Sequence, residues 1–235
     1  MSFEFGGKVN ALVIGHSGGI GSAITRVLEG HDETQTVLGL SRSSTPSIDF
    51  RNPDSLSKAA EIISEKVGEL NCLMISSGIL TAPDGTPPEK SFSELDADAL
   101  SDLLHINTIG PALALKAFLP LMPRRGICRI GVLSARVGSI GDNSMGGWIS
   151  YRASKAALNQ IVRTAAIEQH RKNSDSVCLA LHPGTIETPL SEPYARNRFT
   201  HSAEDCAQNL MSVVCTAKPD MSGKFYDYDG REIEW

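Results

Sequence analysis

The chain has 235 residues, of which 41% are hydrophobic and 21% charged, a balance typical of a globular protein with a large buried core. A formal net charge of −5 without a basic run argues against nucleic-acid binding, which needs cations to neutralise phosphates. Residues 1–5 lack the features of a secretory signal, and no apolar run approaches the ~18 residues of a membrane span.

The cysteines and histidines predict neither disulfides nor a metal site. The five cysteines are scattered without a Cys-x-x-Cys pair, and the six histidines lack close ligand spacing. We therefore expect a cytoplasmic protein that binds a small molecule, no metal, no nucleic acid and no membrane.

Strand-like and helix-like segments alternate along the chain. Short apolar runs predict buried strands at residues 9–14, 36–40, 70–76, 127–133, 177–181 and 223–229. Apolar residues at helical spacing begin near residues 22, 53, 95, 151 and 202. This alternation predicts an α/β fold, a Rossmann-type doubly wound parallel sheet with helices on both faces. With no linker or internal repeat, we expect residues 1–235 to form a single domain.

The first predicted strand runs directly into a glycine-rich loop. Gly15, Gly19 and Gly21 follow it with the spacing G-x-x-x-G-x-G, and a helical pattern begins at Ser22. Glycines allow a tight turn and a close approach of backbone to a pyrophosphate, and the helix N-terminus offers unpaired N–H groups. The loop is therefore a candidate dinucleotide site, with a glycine turn that binds nothing as the alternative.

The second predicted strand ends in Ser41 and Arg42. In dinucleotide folds, an acidic residue about 20 positions after the glycine loop holds the adenosine ribose hydroxyls. An arginine fork instead suits a 2′-phosphate, which carries charge that a hydroxyl lacks. The sequence therefore favours NADP(H) over NAD(H), unless Arg42 is a solvated loop residue.

Residues that could bind a ligand or take part in catalysis follow the ends of the predicted strands. Ligands of open parallel sheets bind beyond the carboxyl ends of the strands. We therefore expect one edge of the sheet to gather Gly15, Ser41, Gly78, Ser134 and Pro183. Residues 189–200 have no clear periodicity, as expected of a mobile flap over a substrate.

Tyr151 and Lys155 stand four positions apart at the start of a strong helical pattern, so their side chains share one helix face. A free tyrosine, with a pKa of about 10, exchanges protons poorly at neutral pH. A neighbouring ammonium stabilises the phenolate, so we expect a lowered Tyr151 pKa and a general acid/base pair. The alternative is an exposed tyrosine stacked on a lysine stem.

A helix irregularity is predicted at Asn107. The sequence Thr108-Ile109-Gly110-Pro111 follows it, so the helix should be disturbed there and then resume through Leu121. A polar side chain at such an irregularity can stabilise the bend by a hydrogen bond or bind a water.

Together these motifs resemble the classical short-chain dehydrogenase/reductase family, over residues 8–225. The resemblance rests on the glycine loop, the Asn107 helix motif, Y-x-x-x-K at 151–155 and P-G-x-x-x-T at 183–188. Two motifs depart from the family pattern, because Ile14 replaces a threonine and Ile75 the first asparagine of N-N-A-G. The runs 133–140 and 151–159 resemble its C-factor and sniffer-like carbonyl reductase branch.

The resemblance implies hydride transfer between a nicotinamide and a carbonyl or alcohol carbon of a small molecule. It implies that Tyr151 donates the proton, that Lys155 holds the nicotinamide ribose, and that Asn107 fixes a water. It also implies a homodimer or homotetramer. The implied cofactor contacts are Gly15, Ser17, Gly19, Ile20, Gly21, Ser41, Arg42, Asp49 (at the adenine amine), Gly78, Tyr151, Lys155, Pro183, Gly184 and Thr188.

One departure concerns the catalytic serine. The family position, three residues before Gly138, is Ala135, and Ser134 is its neighbour. In a regular strand the two side chains would point to opposite faces, but a bulge could re-aim Ser134. We predict that the Ser134 hydroxyl polarises the substrate, within hydrogen-bonding reach of the Tyr151 hydroxyl or of a water that the two share. Ser139 and Ser144 of the following segment are the alternatives, as is a structural Ser134 that bonds its own backbone while the site works with Tyr151 alone.

Two functions of different classes remain open at this point. The first is an NADPH-dependent carbonyl reductase, favoured by the intact Tyr151, Lys155 and Asn107. The second is an NAD(P)-binding, C-factor-like signalling protein with weak or incidental turnover, favoured by Ala135.

Overall fold

The computed structural model describes residues 3–195 and 198–235. Its strands form one parallel six-stranded sheet in the spatial order β2-β1-β3-β4-β5-β6. These are β1 Val9–Ile14, β2 Thr34–Leu40, β3 Cys72–Ile75, β4 Arg129–Leu133, β5 Val177–His182 and β6 Phe225–Asp227. The predicted doubly wound α/β sheet is confirmed.

Helices cover both faces of this sheet. They are α1 Gly19–Glu29, α2 Pro53–Val67, α3 Ala97–Leu104, α4 Gly110–Phe118, α5 Ile149–Lys172, α6 Glu192–Ala195 and α7 Ala203–Thr216. Alternate residues of each strand enter two apolar layers, one beneath α2, α4 and α5 and the other beneath α1 and α7. Because both faces are buried, the strands are almost continuously apolar, as is usual in parallel sheets.

The order of the strands places a crevice at the sheet edge. From β1 the chain crosses to β2 on one side and later returns to β3 on the other. The strand ends are level, because Ile14 pairs in register with both Leu40 and Ile75. Such a reversal in strand order is where open α/β sheets bind ligands.

The predicted irregularity at Asn107 is a π-helical turn, His105–Ile109, between α3 and α4. The helix resumes at Gly110, which lies against the ring of Phe50 so closely that a Cβ would overlap it. The turn gives Asn107 a fully buried position. Over the described part of the chain, no helix combines the length and apolarity needed for a membrane crossing.

Candidate active site

The glycine loop is built for close backbone approach. Gly15 has a φ of +84°, and its N–H donates to the Leu40 carbonyl at 2.8 Å. A Cβ on Gly15 would lie 2.8 Å from Ser77 Oγ, and one on Gly21 would overlap the Gly15 carbonyl. Only glycine is therefore tolerated at both positions, and the loop folds tightly against the end of β3.

Helix α1 begins without a side-chain cap. Gly18 stands at its N-cap position and has no side chain to accept a hydrogen bond from the first turn. The neighbouring Ser17 is exposed and Ile20 half-buried. An uncapped N-terminus suits an anion, because its N–H groups and the helix dipole both favour negative charge.

Thr188 lies directly over this helix start. A Cβ on Gly19 would come 2.7 Å from Thr188 Cγ2. The turn that leads to Thr188 contains Gly184, with a φ of +86°, where a Cβ would lie 2.6 Å from Thr200 Oγ1. The structure therefore brings the Pro183–Thr188 segment to the glycine loop, as expected.

The turn after β2 holds Ser41, Arg42 and a residue that sequence reasoning missed, His16. Ser41 is buried, and Arg42 is exposed. The ring of His16 packs on Gly39, where a Cβ would lie 2.5 Å from it, and its Nε2 is 3.4 Å from Ser41 Oγ. The only sequence signal for His16 was its place directly after Gly15.

Asp49 belongs to the same end of the crevice. The Ile48 N–H donates to the Ser41 carbonyl at 3.0 Å, which places Asp49 next to the β2 turn. The carboxylate is exposed and accepts the Arg51 N–H at 2.9 Å. Contact with an adenine amine stays a prediction.

Asn107 ties the end of β3 to helix α5. Its Oδ1 accepts the Ile79 N–H at 2.8 Å, and its Nδ2 donates to the Ile79 carbonyl at 2.8 Å and to Ser154 Oγ at 3.0 Å. A Cβ on Gly78 would lie 3.2 Å from Asn107 Oδ1 and 3.3 Å from Lys155 Nζ. Gly78, at the end of β3, therefore meets Asn107 and Lys155.

Lys155 is a buried ammonium. It is 3% exposed, and its Nζ donates to the Leu133 carbonyl at 3.0 Å. Burial lowers its pKa to about 8. Nζ lies 5.9 Å from the centre of the Tyr151 ring, so the two side chains do share a helix face.

The expectation of a lowered Tyr151 pKa is wrong. Its pKa is raised, not lowered, because burial penalises the phenolate. Only 8% of the residue is exposed, and the ammonium of Lys155 is directed to the Leu133 carbonyl. The phenol is therefore fully protonated at neutral pH, which is the state that a proton donor requires.

The Ser134 hydroxyl makes no direct hydrogen bond to the Tyr151 hydroxyl and instead has a partner on α5. This buried hydroxyl donates to Asn159 Oδ1 at 2.6 Å. The backbone stays extended at Ala135, with φ −147° and ψ 145°, so no bulge re-aims Ser134. Instead Ala135 packs in the apolar cluster that contains Tyr151.

The two alternative serines are placed elsewhere. Ser139 is 2% exposed, and its Oγ accepts the Asp142 N–H at 3.0 Å. Ser144 lies exposed in the following loop.

The predicted flap covers this site with aromatic rings. Tyr194 of α6 shares a hydrogen bond with the Thr81 hydroxyl at 2.6 Å. Its ring centre is 5.8 Å from that of Trp148, which in turn is 6.2 Å from that of Tyr151. Residues 196 and 197 of the flap lie outside the described residues. The Trp148 ring packs edge-on against that of Tyr151, which is 8% exposed.

The profile of the short chain dehydrogenase family matches residues 9–198, most of the chain. The chain belongs to the short-chain dehydrogenase family. It is therefore an oxidoreductase of the NAD(P)-dependent class, and the resemblance predicted from its motifs is confirmed.

Similar proteins include a 1-hydroxy-2-glutathionyl-2-methyl-3-butene dehydrogenase of Rhodococcus sp. (strain AD45), 30% identical across 95% of this chain and 98% of its own. The C-signal protein of Myxococcus xanthus is 32% identical across 62% of this chain and 84% of its own. Among solved structures, the carbonyl reductase Sniffer of D. melanogaster superimposes with a TM-score of 0.83 at 23% identity, covering 97% and 100% of the two chains.

The short-chain dehydrogenase site fits a dinucleotide along its whole length. The glycine cradle and the uncapped α1 suit a pyrophosphate, and the Ser41–Arg42 turn suits the adenosine end. A bound nicotinamide would supply the hydride. At the β3 end of the crevice, Lys155 lies beside Gly78, with its Nζ 5.9 Å from the centre of the Tyr151 ring. No cluster of metal-ligating side chains is present among residues 3–195 and 198–235.

Proposed function

We propose that this dehydrogenase is an NADPH-dependent reductase of small ketones and aldehydes. The observation that carries the proposal is the meeting of Tyr151, Lys155, Asn107 and Gly78 beside the glycine cradle. A protonated phenol in an apolar pocket is ready to donate to a developing alkoxide. Burial raises the pKa of Tyr151, which keeps the phenol protonated for that donation.

NADPH is the proposed cofactor because of the turn after β2. Arg42 is exposed there, and the Ser41 and His16 side chains lie beside it. This set can donate to a 2′-phosphate and holds no acidic residue to accept the ribose hydroxyls of NADH. A carbonyl reductase from chicken fatty liver bound to NADPH superimposes with a TM-score of 0.83 at 22% identity, over 97% of this chain and 100% of its own, which agrees with the proposal.

The test is a panel of aldehydes and ketones assayed with NADPH and with NADH by loss of nicotinamide absorbance. Apolar and aromatic ketones should be included because the site is lined by Trp148 and Tyr194. A glutathione conjugate should be added, since the Rhodococcus relative is named for one. Turnover with NADPH at a higher kcat/KM than with NADH is expected.

A signalling role is the second candidate. It is favoured by the similarity to the C-signal protein and by Ala135 at the position of the catalytic serine. Binding of NADPH without turnover of any substrate in the panel would support it and would contradict the reductase proposal.

We further propose a cytoplasmic homodimer or homotetramer. The five cysteines are free and buried, which agrees with a reducing compartment. Ile109, at the end of the π-helical turn, is 46% exposed, and Ile167, on α5, is 44% exposed. A second copy of the chain would cover these apolar side chains. Light scattering after gel filtration measures the number of copies, and a monomer at micromolar concentration would contradict this part.

A further inference from the structure

Glu89 is a buried acid that is far from Tyr151 in sequence and is bonded to Ser150, the residue before Tyr151. Only 4% of it is exposed. Its Oε2 accepts the Ser150 N–H at 3.2 Å, and its Oε1 accepts the Ser150 hydroxyl. Its backbone carbonyl also accepts the Trp148 N–H at 2.5 Å. One loop residue therefore binds three donors at the start of α5.

This helix start needs external support. Trp148, at the N-cap position, has a left-handed backbone with φ 52° and ψ 44°, which is unfavourable for a bulky residue. Its side chain makes no capping hydrogen bond. The Glu89 carboxylate replaces the missing cap, and its charge also suits the helix N-terminus.

Tyr151 directly follows the residue that Glu89 holds. On the other side of the segment, the Arg152 guanidinium donates to the carbonyls of Gly146 at 3.0 Å and Gly147 at 2.9 Å. Glu89 therefore holds Trp148 and Ser150, which lie between the two glycines bonded to Arg152 and Tyr151. The ring of Trp148 in turn packs against that of Tyr151.

We propose that Glu89 is a positioning residue for Tyr151. Through its contacts with Ser150 and Trp148, Glu89 holds the Tyr151 hydroxyl in the position from which it donates its proton. This role rests on the proposed carbonyl reduction. It does not need the charge of Glu89, because burial accounts for the raised pKa of Tyr151. A glutamine can accept the Ser150 N–H and donate to its hydroxyl, so it can serve in place of the acid.

The test compares Glu89→Ala and Glu89→Gln with the control Glu94→Ala. Glu94 is an exposed acid of the same loop that accepts the Lys90 N–H at 2.8 Å. Glu89→Ala should lower kcat by about ten- to hundred-fold, since small misplacements of reacting groups have effects of this size. NADPH affinity should change less than about two-fold, because the cofactor site is otherwise intact. Glu89→Gln should retain most of the turnover, and Glu94→Ala should resemble the wild type.

Hydrogen exchange of residues 146–153 gives a readout that does not need turnover. Glu89→Ala should speed exchange there and leave the strands unchanged, whereas Glu89→Gln should not. If Glu89→Ala aggregates, Ser150→Ala provides a milder change with the same expected direction. Unchanged exchange and kcat in Glu89→Ala, or an equal loss of kcat in Glu89→Gln, would overturn the positioning role. A wild-type protein that reduces no carbonyl would contradict the proposed function instead, while faster exchange would still support the helix contact.

Discussion

The Ser134 hydroxyl donates a hydrogen bond to Asn159 Oδ1 at 2.6 Å, which joins the end of β4 to the middle of α5. The neighbouring Ala135 keeps an extended backbone, so its side chain points to the opposite face, where it packs against the apolar cluster that contains Tyr151. The position on the side of the Tyr151 cluster therefore carries a methyl group, and the serine beside it has a structural contact.

The first prediction follows from this arrangement. Ala135→Ser should raise kcat on a confirmed carbonyl, because it puts a hydroxyl on the Tyr151 face, where it can donate to the substrate oxygen. Ser134→Ala should leave kcat within about three-fold but lower the melting temperature. The lost hydrogen bond leaves a buried amide oxygen unpaired, at roughly 1–3 kcal/mol. A collapse of kcat in Ser134→Ala with unchanged stability would restore the catalytic role first assigned to Ser134.

The fold was predictable because the strands and the longer helices have their own local patterns. Helix α6, Glu192–Ala195, was not predicted, because it is one turn long and lies in the flap, where the sequence shows no periodicity. Alternating apolar runs and helical spacing located all six strands, and Gly110-Pro111 predicted the irregular turn beside Asn107. Ser202 caps α7 by accepting the Asp205 N–H at 3.0 Å, as its sequence pattern indicates.

The details of the site depend on contacts that local patterns do not contain. Glu89 meets Ser150 across 61 positions, and only the folded chain shows which loop acid caps the helix. The direction of the Tyr151 pKa depended on burial by Trp148 and the flap, whereas spacing alone indicated only the nearby Lys155. The partner of Ser134 likewise depended on whether β4 ended in a bulge.

A second prediction concerns the buried ammonium of Lys155. Lowering its pKa from 10.5 to about 8 corresponds to a penalty of about 3 kcal/mol when the group is charged. Lys155→Met should therefore raise the melting temperature at pH 7 by several degrees while it abolishes turnover and weakens NADPH binding. A lower melting temperature at pH 7 would mean that the bond to Leu133 outweighs the burial of charge.

The stability difference between Lys155→Met and the wild type should depend on pH, and the sign of this dependence follows from the Lys155 pKa. Below pH 8 the lysine is charged in both the folded and unfolded states, so the full penalty is present. Between pH 8 and pH 10.5 the folded lysine has lost its proton while the unfolded chain still binds one, so wild-type stability rises relative to the variant. The stability difference between Lys155→Met and wild type, measured by urea unfolding, should therefore shrink across this window.

A third prediction concerns cofactor choice. A charge-assisted contact with a phosphate contributes roughly 1.5–3 kcal/mol. Arg42→Ala should therefore weaken NADPH binding by about ten-fold or more and spare NADH, as titration calorimetry can measure. The matched control is Arg171→Ala, which removes one exposed charge from α5 without touching the crevice. Equal losses for both cofactors would assign Arg42 a structural role.

A fourth prediction tests the flap. The 2.6 Å hydrogen bond between Tyr194 and Thr81 holds the flap against the site. Loss of one such bond, at about 1 kcal/mol, should raise the KM for a carbonyl about five-fold in Tyr194→Phe. Thr81→Val should have the same effect, and the double variant should add little to either. Fully additive effects on KM would show that the two hydroxyls act independently.

The most direct test of hydride transfer with Tyr151 as proton donor is Tyr151→Phe, assayed with NADPH on a confirmed carbonyl. The variant removes one hydroxyl and keeps the ring that packs against Trp148. We predict that kcat falls by about 10²–10⁴, the usual contribution of general acid catalysis, while NADPH affinity is unchanged. Wild-type turnover by Tyr151→Phe would contradict the account at its centre.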